Sequence, residues 1–166
     1  HHCNIGHELK SRAHVNIIEY NRVSNEGTGN ASREIDLPDG GTAIVIGNIV
    51  EQGPNSTNSG IIGYGLESLT NTAPHNLYLI NNTIVNDKGV GTFVAVGNGM
   101  NIYKAYNNIF TGGGTVLSGT PNTIDTSNNW VVTNISNCNF VNANGYDYNL
   151  WGGSGAIEAG TNSGNA

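Results

Sequence analysis

The chain has 166 residues, enough for one domain with a substantial core. A net charge of −6 disfavours nucleic acid and anionic membrane surfaces as partners, and no 18-residue apolar run offers a membrane span. Only 11% of residues are charged, 24 are glycine, and Asn, Ser and Thr abound, a balance that excludes a helix-rich protein and fits a turn-rich β-structure.

The first recognisable element, residues 16–23, recurs. Its later copies are residues 43–50, 77–84 and 103–110, with a weaker copy at 124–131. Each carries an Asn followed two residues on by Val, Ile or Phe. These asparagines, Asn21, Asn48, Asn82, Asn108 and Asn129, are 27, 34, 26 and 21 residues apart, within the period range of a solenoid. Alternating apolar residues form a strand with one face on a core. Asn tolerates the left-handed backbone of a sharp bend. Stacked bends let each Asn side chain bond to the next coil. Val23, Val50, Ile84, Phe110 and Val131 should therefore stack in the core.

Each coil should hold a third strand, at residues 7–12, 34–38, 61–66, 92–96 and 115–118. Long loops at 24–33 and 51–59 lead into that strand and would wall a groove. From residue 137 the pattern decays, and residues 140–150 read as an incomplete last coil. The expected fold is all-β: a right-handed parallel β-helix of about five coils with an asparagine ladder. It spans residues 1–160 as one domain, with a polar tail at 161–166. His1-His2-Cys3 aligns on Asn21-Arg22-Val23, with a tag remnant as the competing reading. On that alignment the chain starts within a coil, N-terminal coils are missing, and the exposed solenoid end could self-associate.

The ladder resembles the right-handed parallel β-helix of the pectate-lyase superfamily. Residues 6–13 and 35–41 look like a group of bacterial right-handed parallel β-helix repeat proteins. Gly155-Ala156-Ile157-Glu158-Ala159-Gly160 is similar to the terminal Pro-Ala-Ile-Asp-Ala-Gly motif of many bacterial β-helix proteins, with Gly155 in place of Pro. Lys10-Ser11 followed by Asn16-Ile17-Ile18 resembles the start of the catalytic coil in β-helix alginate lyases. Those lyases place an Arg in the next coil, where this chain has Asp36.

Charge gathers on the first two third strands and their exits. If Leu9 and Ile35 point inward, alternation turns Glu8, Lys10, Glu34 and Asp36 outward, with Tyr64 and Glu67 in the next coil. Uronate β-elimination needs a cation on the carboxylate, a base for the C5 proton and an acid for the leaving oxygen. Lys10 could be that base if its pKa were lowered, Arg12 the carboxylate clamp, and His7 or Tyr64 the acid. Glu34, Asp36, Tyr64 and Glu67 would contact the polysaccharide substrate. Glu34, Asp36 and Asp39 could bind Ca²⁺, which takes six to eight oxygen ligands. The same charges could instead be surface ion pairs. Two functions follow: a secreted or cell-surface carbohydrate-active protein, most plausibly a polysaccharide lyase, or a non-catalytic structural or adhesive solenoid. Cys3 and Cys138 fall in the first and last coils, roughly 20 Å apart at about 4.8 Å per coil, so they should be free and buried.

Overall fold

A computed structural model describes residues 1–162; residues 163–166, most of the expected tail, lie outside the described residues. Coil 1 holds β1 (His7–Lys10), β2 (Val15–Glu19) and β3 (Arg22–Ser24). Coil 2 holds β4 (Arg33–Leu37), β5 (Thr42–Ile46) and β6 (Ile49–Gln52), and coil 3 holds β7 (Gly60–Tyr64), β8 (Asn76–Ile80) and β9 (Thr83–Asn86). Coil 4 holds β10 (Thr92–Val96), β11 (Ile102–Tyr106) and β12 (Ile109–Gly112), and coil 5 holds β13 (Thr115–Ser118), β14 (Thr123–Ser127) and β15 (Trp130–Val132). Each strand pairs in parallel with its counterpart one coil away. The result is three five-stranded sheets in the orders β1-β4-β7-β10-β13, β14-β11-β8-β5-β2 and β15-β12-β9-β6-β3. This is the parallel β-helix expected from the recurrence of Asn.

The ladder is continuous. The backbone N–H of Asn21 donates to Asn48 Oδ1 at 2.9 Å, that of Asn48 to Asn82 at 2.9 Å, that of Asn82 to Asn108 at 3.0 Å and that of Asn108 to Asn129 at 3.0 Å. The left-handed residue of each bend is not the ladder Asn but the one before it: Tyr20, Gly47, Asn81, Asn107 and Asn128 all have φ between 50 and 66°. The ladder Asn thus turns its amide inward along the stack, while the preceding residue points out. Gly47 is the only glycine among these five. A Cβ there would lie 2.6 Å from the Tyr20 ring one coil away, so the ring occupies space that the missing side chain leaves.

Val23, Val50, Ile84, Phe110 and Val131 are register partners. The first four are buried, and Val131, in the last coil, is 56% exposed. Phe110 meets Phe93 edge-to-face at a centroid distance of 5.4 Å. That contact marks an irregularity in the first sheet. Ile61 and Ile62 both enter the core, as do Phe93 and Val94, and Val116 and Leu117 both pack against it. Two consecutive inward residues mean that this strand bends into the core at its start, so strict alternation fails there.

The last coil is followed by a fold-back rather than by a further coil. Strands β16 (Phe140–Asn142) and β17 (Asp147–Leu150) form an antiparallel pair. Arg22, in coil 1, donates to the Tyr146 carbonyl at 2.6 Å, and its guanidinium lies 5.8 Å from the Tyr148 ring centre. The hairpin therefore reaches back across the outer face of the third sheet, correcting the reading of residues 140–150 as an incomplete coil. At the other end, His2 N donates to Ser24 O at 3.2 Å. His2 thus lies beside the exit of β3, not beside the ladder, which corrects the alignment of His1 on Asn21. Cys3 and Cys138 are both free; Cys138 is buried, whereas Cys3 is only half-buried.

Candidate functional site

The charged residues do converge, on the outer face of the first sheet over coils 1 to 3. β1 and β4 pair Lys10 with Asp36 and His7 with Arg33, which sets these side chains one strand spacing apart. Lys10 Nζ lies 2.8 Å from Asp36 Oδ2 and 2.6 Å from Glu67 Oε1. Arg12 Nη1 lies 2.6 Å from Asp39 Oδ1, and Arg12 Nη2 donates to Glu67 Oε2. His7 Nε2 and Arg33 Nε add contacts to Asp36 at 3.4 and 3.8 Å. Asp36 is nearly buried while Glu67 is half-exposed.

These contacts shift the titration of Lys10 and Glu67 and, with burial, that of His7. Hydrogen bonds to Asp36 and Glu67 raise the Lys10 pKa above its ordinary value. Hydrogen bonds from Lys10 and Arg12 hold the Glu67 carboxyl down at about 2. Burial lowers the His7 imidazole, with Asp36 pulling against it and Lys10 adding to the fall. A lysine that is to take a proton needs the opposite shift. The arrangement is a network of seven charged or titratable side chains, His7, Lys10, Arg12, Arg33, Asp36, Asp39 and Glu67, joining three coils.

Two expected members are elsewhere. Tyr64 is fully buried in the core and its hydroxyl donates to the Gly41 carbonyl. Tyr64 pairs in register with Leu37, two residues beyond the inward Ile35, so alternation turns it inward and away from any outer groove. Burial raises its hydroxyl pKa, so it is not placed as an acid.

Glu34 is the second. It is fully buried, at the strand start where the neighbouring coils put Ile61 and Phe93. Asn25 Nδ2 donates to its Oε1 at 2.8 Å, and Ser56 Oγ and Gln52 Nε2 lie 3.4 Å from its two oxygens. Burial, helped by nearby Glu51, pushes Glu34 up to about 8, against the pull of these hydrogen bonds. Both long loops thus end on one buried carboxyl instead of walling a groove. Glu34, Asp36 and Asp39 therefore do not form a Ca²⁺ cage: the first faces the interior, and the other two are held by cations. Among the described residues, the ligand atoms of His1, His2 and Glu26 are the one set of three lying within 4.8 Å of one another.

Glu34 gives a signed pH dependence. Its folded pKa lies above its ordinary 4.5. The stability it contributes is therefore full below about pH 4.5 and is lost as pH rises towards 8. Glu34→Gln keeps the shape without the charge. At pH 8.5 it should unfold with about 2–4 kcal/mol more stability than the parent, and at pH 4 with nearly the same. Denaturant titrations at both pH values check this; an equal difference at both would mean that Glu34 titrates normally.

No helix among the described residues is long and apolar enough to cross a membrane. Comparison with protein-family models, curated proteins and solved structures finds no match to this chain.

Proposed function

We propose that the chain is a non-catalytic β-solenoid module of the structural or adhesive kind, and that its charged patch clamps three coils together. One observation carries the proposal: Lys10 is held by Asp36 and Glu67 at 2.8 and 2.6 Å, and both contacts keep it protonated. The likeness of residues 6–13 and 35–41 to bacterial right-handed parallel β-helix repeat proteins, and of residues 155–160 to the terminal motif of bacterial β-helix proteins, supports the solenoid part of this reading. A surface poor in lysine and rich in Asn, Ser and Thr supports an extracellular setting, where a polysaccharide is the polymer such a module would meet. Self-association belongs to the same proposal. Ile124 and Val131, core positions by register, are each 56% exposed on the last coil, and an uncovered apolar coil favours stacking.

The test follows unsaturated uronate products by ultraviolet absorbance. Parent and Lys10→Ala proteins are incubated with pectate, alginate and glycosaminoglycans, with and without Ca²⁺. Neither protein should release product. Lys10→Ala should instead lower stability by about 1 kcal/mol, since it leaves a nearly buried Asp36 with fewer cations. Product release by the parent that is abolished in Lys10→Ala would replace the structural reading with a lyase.

A further inference from the structure

The outward residues of the bends form a second column, beside the inner ladder. In coils 3, 4 and 5 this column is asparagine again: Asn81, Asn107 and Asn128, with φ of 57, 57 and 50°. Two of the three already hold a peptide. Asn107 Nδ2 donates to the Thr161 carbonyl at 2.7 Å, and Thr161 N–H donates to Asn107 Oδ1 at 2.8 Å. One side-chain amide thus reads both backbone groups of one residue, as a strand neighbour would. One coil on, Asn128 Nδ2 donates to the Ala159 carbonyl at 3.0 Å. The bound segment is small-residue-rich, and a Cβ at its Gly155 would sit 3.5 Å from the Trp130 ring.

The column continues to Asn81, the register neighbour of Asn107. Asn81 is exposed, and among the described residues its side-chain amide has no partner. It lines, with Asn107, Asn128, Trp130, Ala156 and Ala159, a cavity of about 270 Å³ between bend and segment. In coils 1 and 2 the column changes to Tyr20 and Gly47, neither of which offers an amide side chain. The amide column therefore covers three coils and no more.

We propose that this outer asparagine column is a docking track for an extended peptide of small residues, with Asn81 as its third rung. The chain's own C-terminal segment is the intramolecular occupant, and a peptide of the same chemistry competes for the same amides. The inference stands on these contacts and does not depend on the role of the charged patch. Recognition runs through the peptide backbone, so the ligand must be extended and must offer N–H and C=O groups at alternate residues.

The probe is a fluorescent peptide with the sequence of residues 155–165, long enough to reach all three rungs at alternate residues, added to the full chain and followed by polarisation. Thr161→Pro removes the N–H that Asn107 accepts, which loosens the protein's own segment while leaving the track intact. The peptide should bind the parent saturably and bind Thr161→Pro several-fold more tightly. Asn107→Ala should weaken binding at least tenfold, and the exposed change Asn81→Ala several-fold. A peptide N-methylated at the position of Thr161 should bind at least tenfold more weakly. Absence of saturable binding to Thr161→Pro would overturn the proposal. So would affinities indifferent to Asn81→Ala and to N-methylation.

Discussion

Asn108→Ala is expected to cost about 3–6 kcal/mol of stability. Asn108 is fully buried and occupies the middle of the ladder. Its Oδ1 accepts from the Asn82 backbone N–H at 3.0 Å and from Asn82 Nδ2 at 2.9 Å. Its own Nδ2 donates to the Leu79 carbonyl at 2.8 Å and to Asn129 Oδ1 at 2.8 Å. Truncation removes one partner from each of four groups, in a place where water does not easily follow; Asn82 Nδ2 keeps the Val45 carbonyl and Asn129 Oδ1 keeps the Asn108 backbone N–H. Each orphaned buried group costs about 1–3 kcal/mol, and partial relaxation keeps the sum below the simple total. Asn21→Ala is the internal control. Asn21 is the exposed end of the same ladder, water replaces its lost partners, and the cost should stay below about 1 kcal/mol. Urea midpoints of the two variants check this; equal losses would mean that the ladder amides do not act as a buried stack.

The second large effect is at Phe110, where truncation to alanine should cost about 3–5 kcal/mol. Its ring is fully buried and meets Phe93 at an interplanar angle of 74°, a favourable edge-to-face geometry. The stiff sheets on either side cannot close over the cavity, because their register is fixed by backbone bonds to both neighbours. Val131→Ala removes a side chain from the same column but at the exposed last coil, and should cost under about 1 kcal/mol. Thermal or denaturant unfolding distinguishes the two. A loss below about 1 kcal/mol at Phe110 would mean that the column does not run through the core.

What the sequence discloses follows from where its periodicity is strict. The ladder Asn and the Val, Ile or Phe two residues later repeat with little variation, so the second and third sheets are legible residue by residue. The first sheet is less so, because its strand starts bend inward. Ile61-Ile62, Phe93-Val94 and Val116-Leu117 are the visible signal: three consecutive apolar pairs in equivalent places. Aligning Glu34-Ile35 on those pairs would place Glu34 in the interior. Tyr64 is legible in the same way, by alternation from Ile35 through Leu37.

The recurrence of Asn points to the ladder Asn as the left-handed residue, yet Gly47 before Asn48 is the clue that the preceding residue carries it. The hairpin of β16 and β17 was not legible as such. Its strands have three and four residues, and their partners are set by tertiary packing on Arg22 and the third sheet. The clustering of Lys10, Arg12, Asp36 and Asp39 is legible from the alternation of β1 and β4. Its meaning turned on Glu67, whose loop position brings one carboxylate against both Lys10 and Arg12.

The most direct test of that meaning is the titration of the three lysines, Lys10, Lys88 and Lys104, by ¹⁵N NMR of their Nζ atoms in the intact protein. A clamp held by Asp36 and Glu67 predicts that Lys10 deprotonates above the ordinary lysine value of 10.5. Glu67→Gln should bring it back towards that value. A Lys10 that instead loses its proton near neutral pH would contradict the clamp and mark the residue as a poised base.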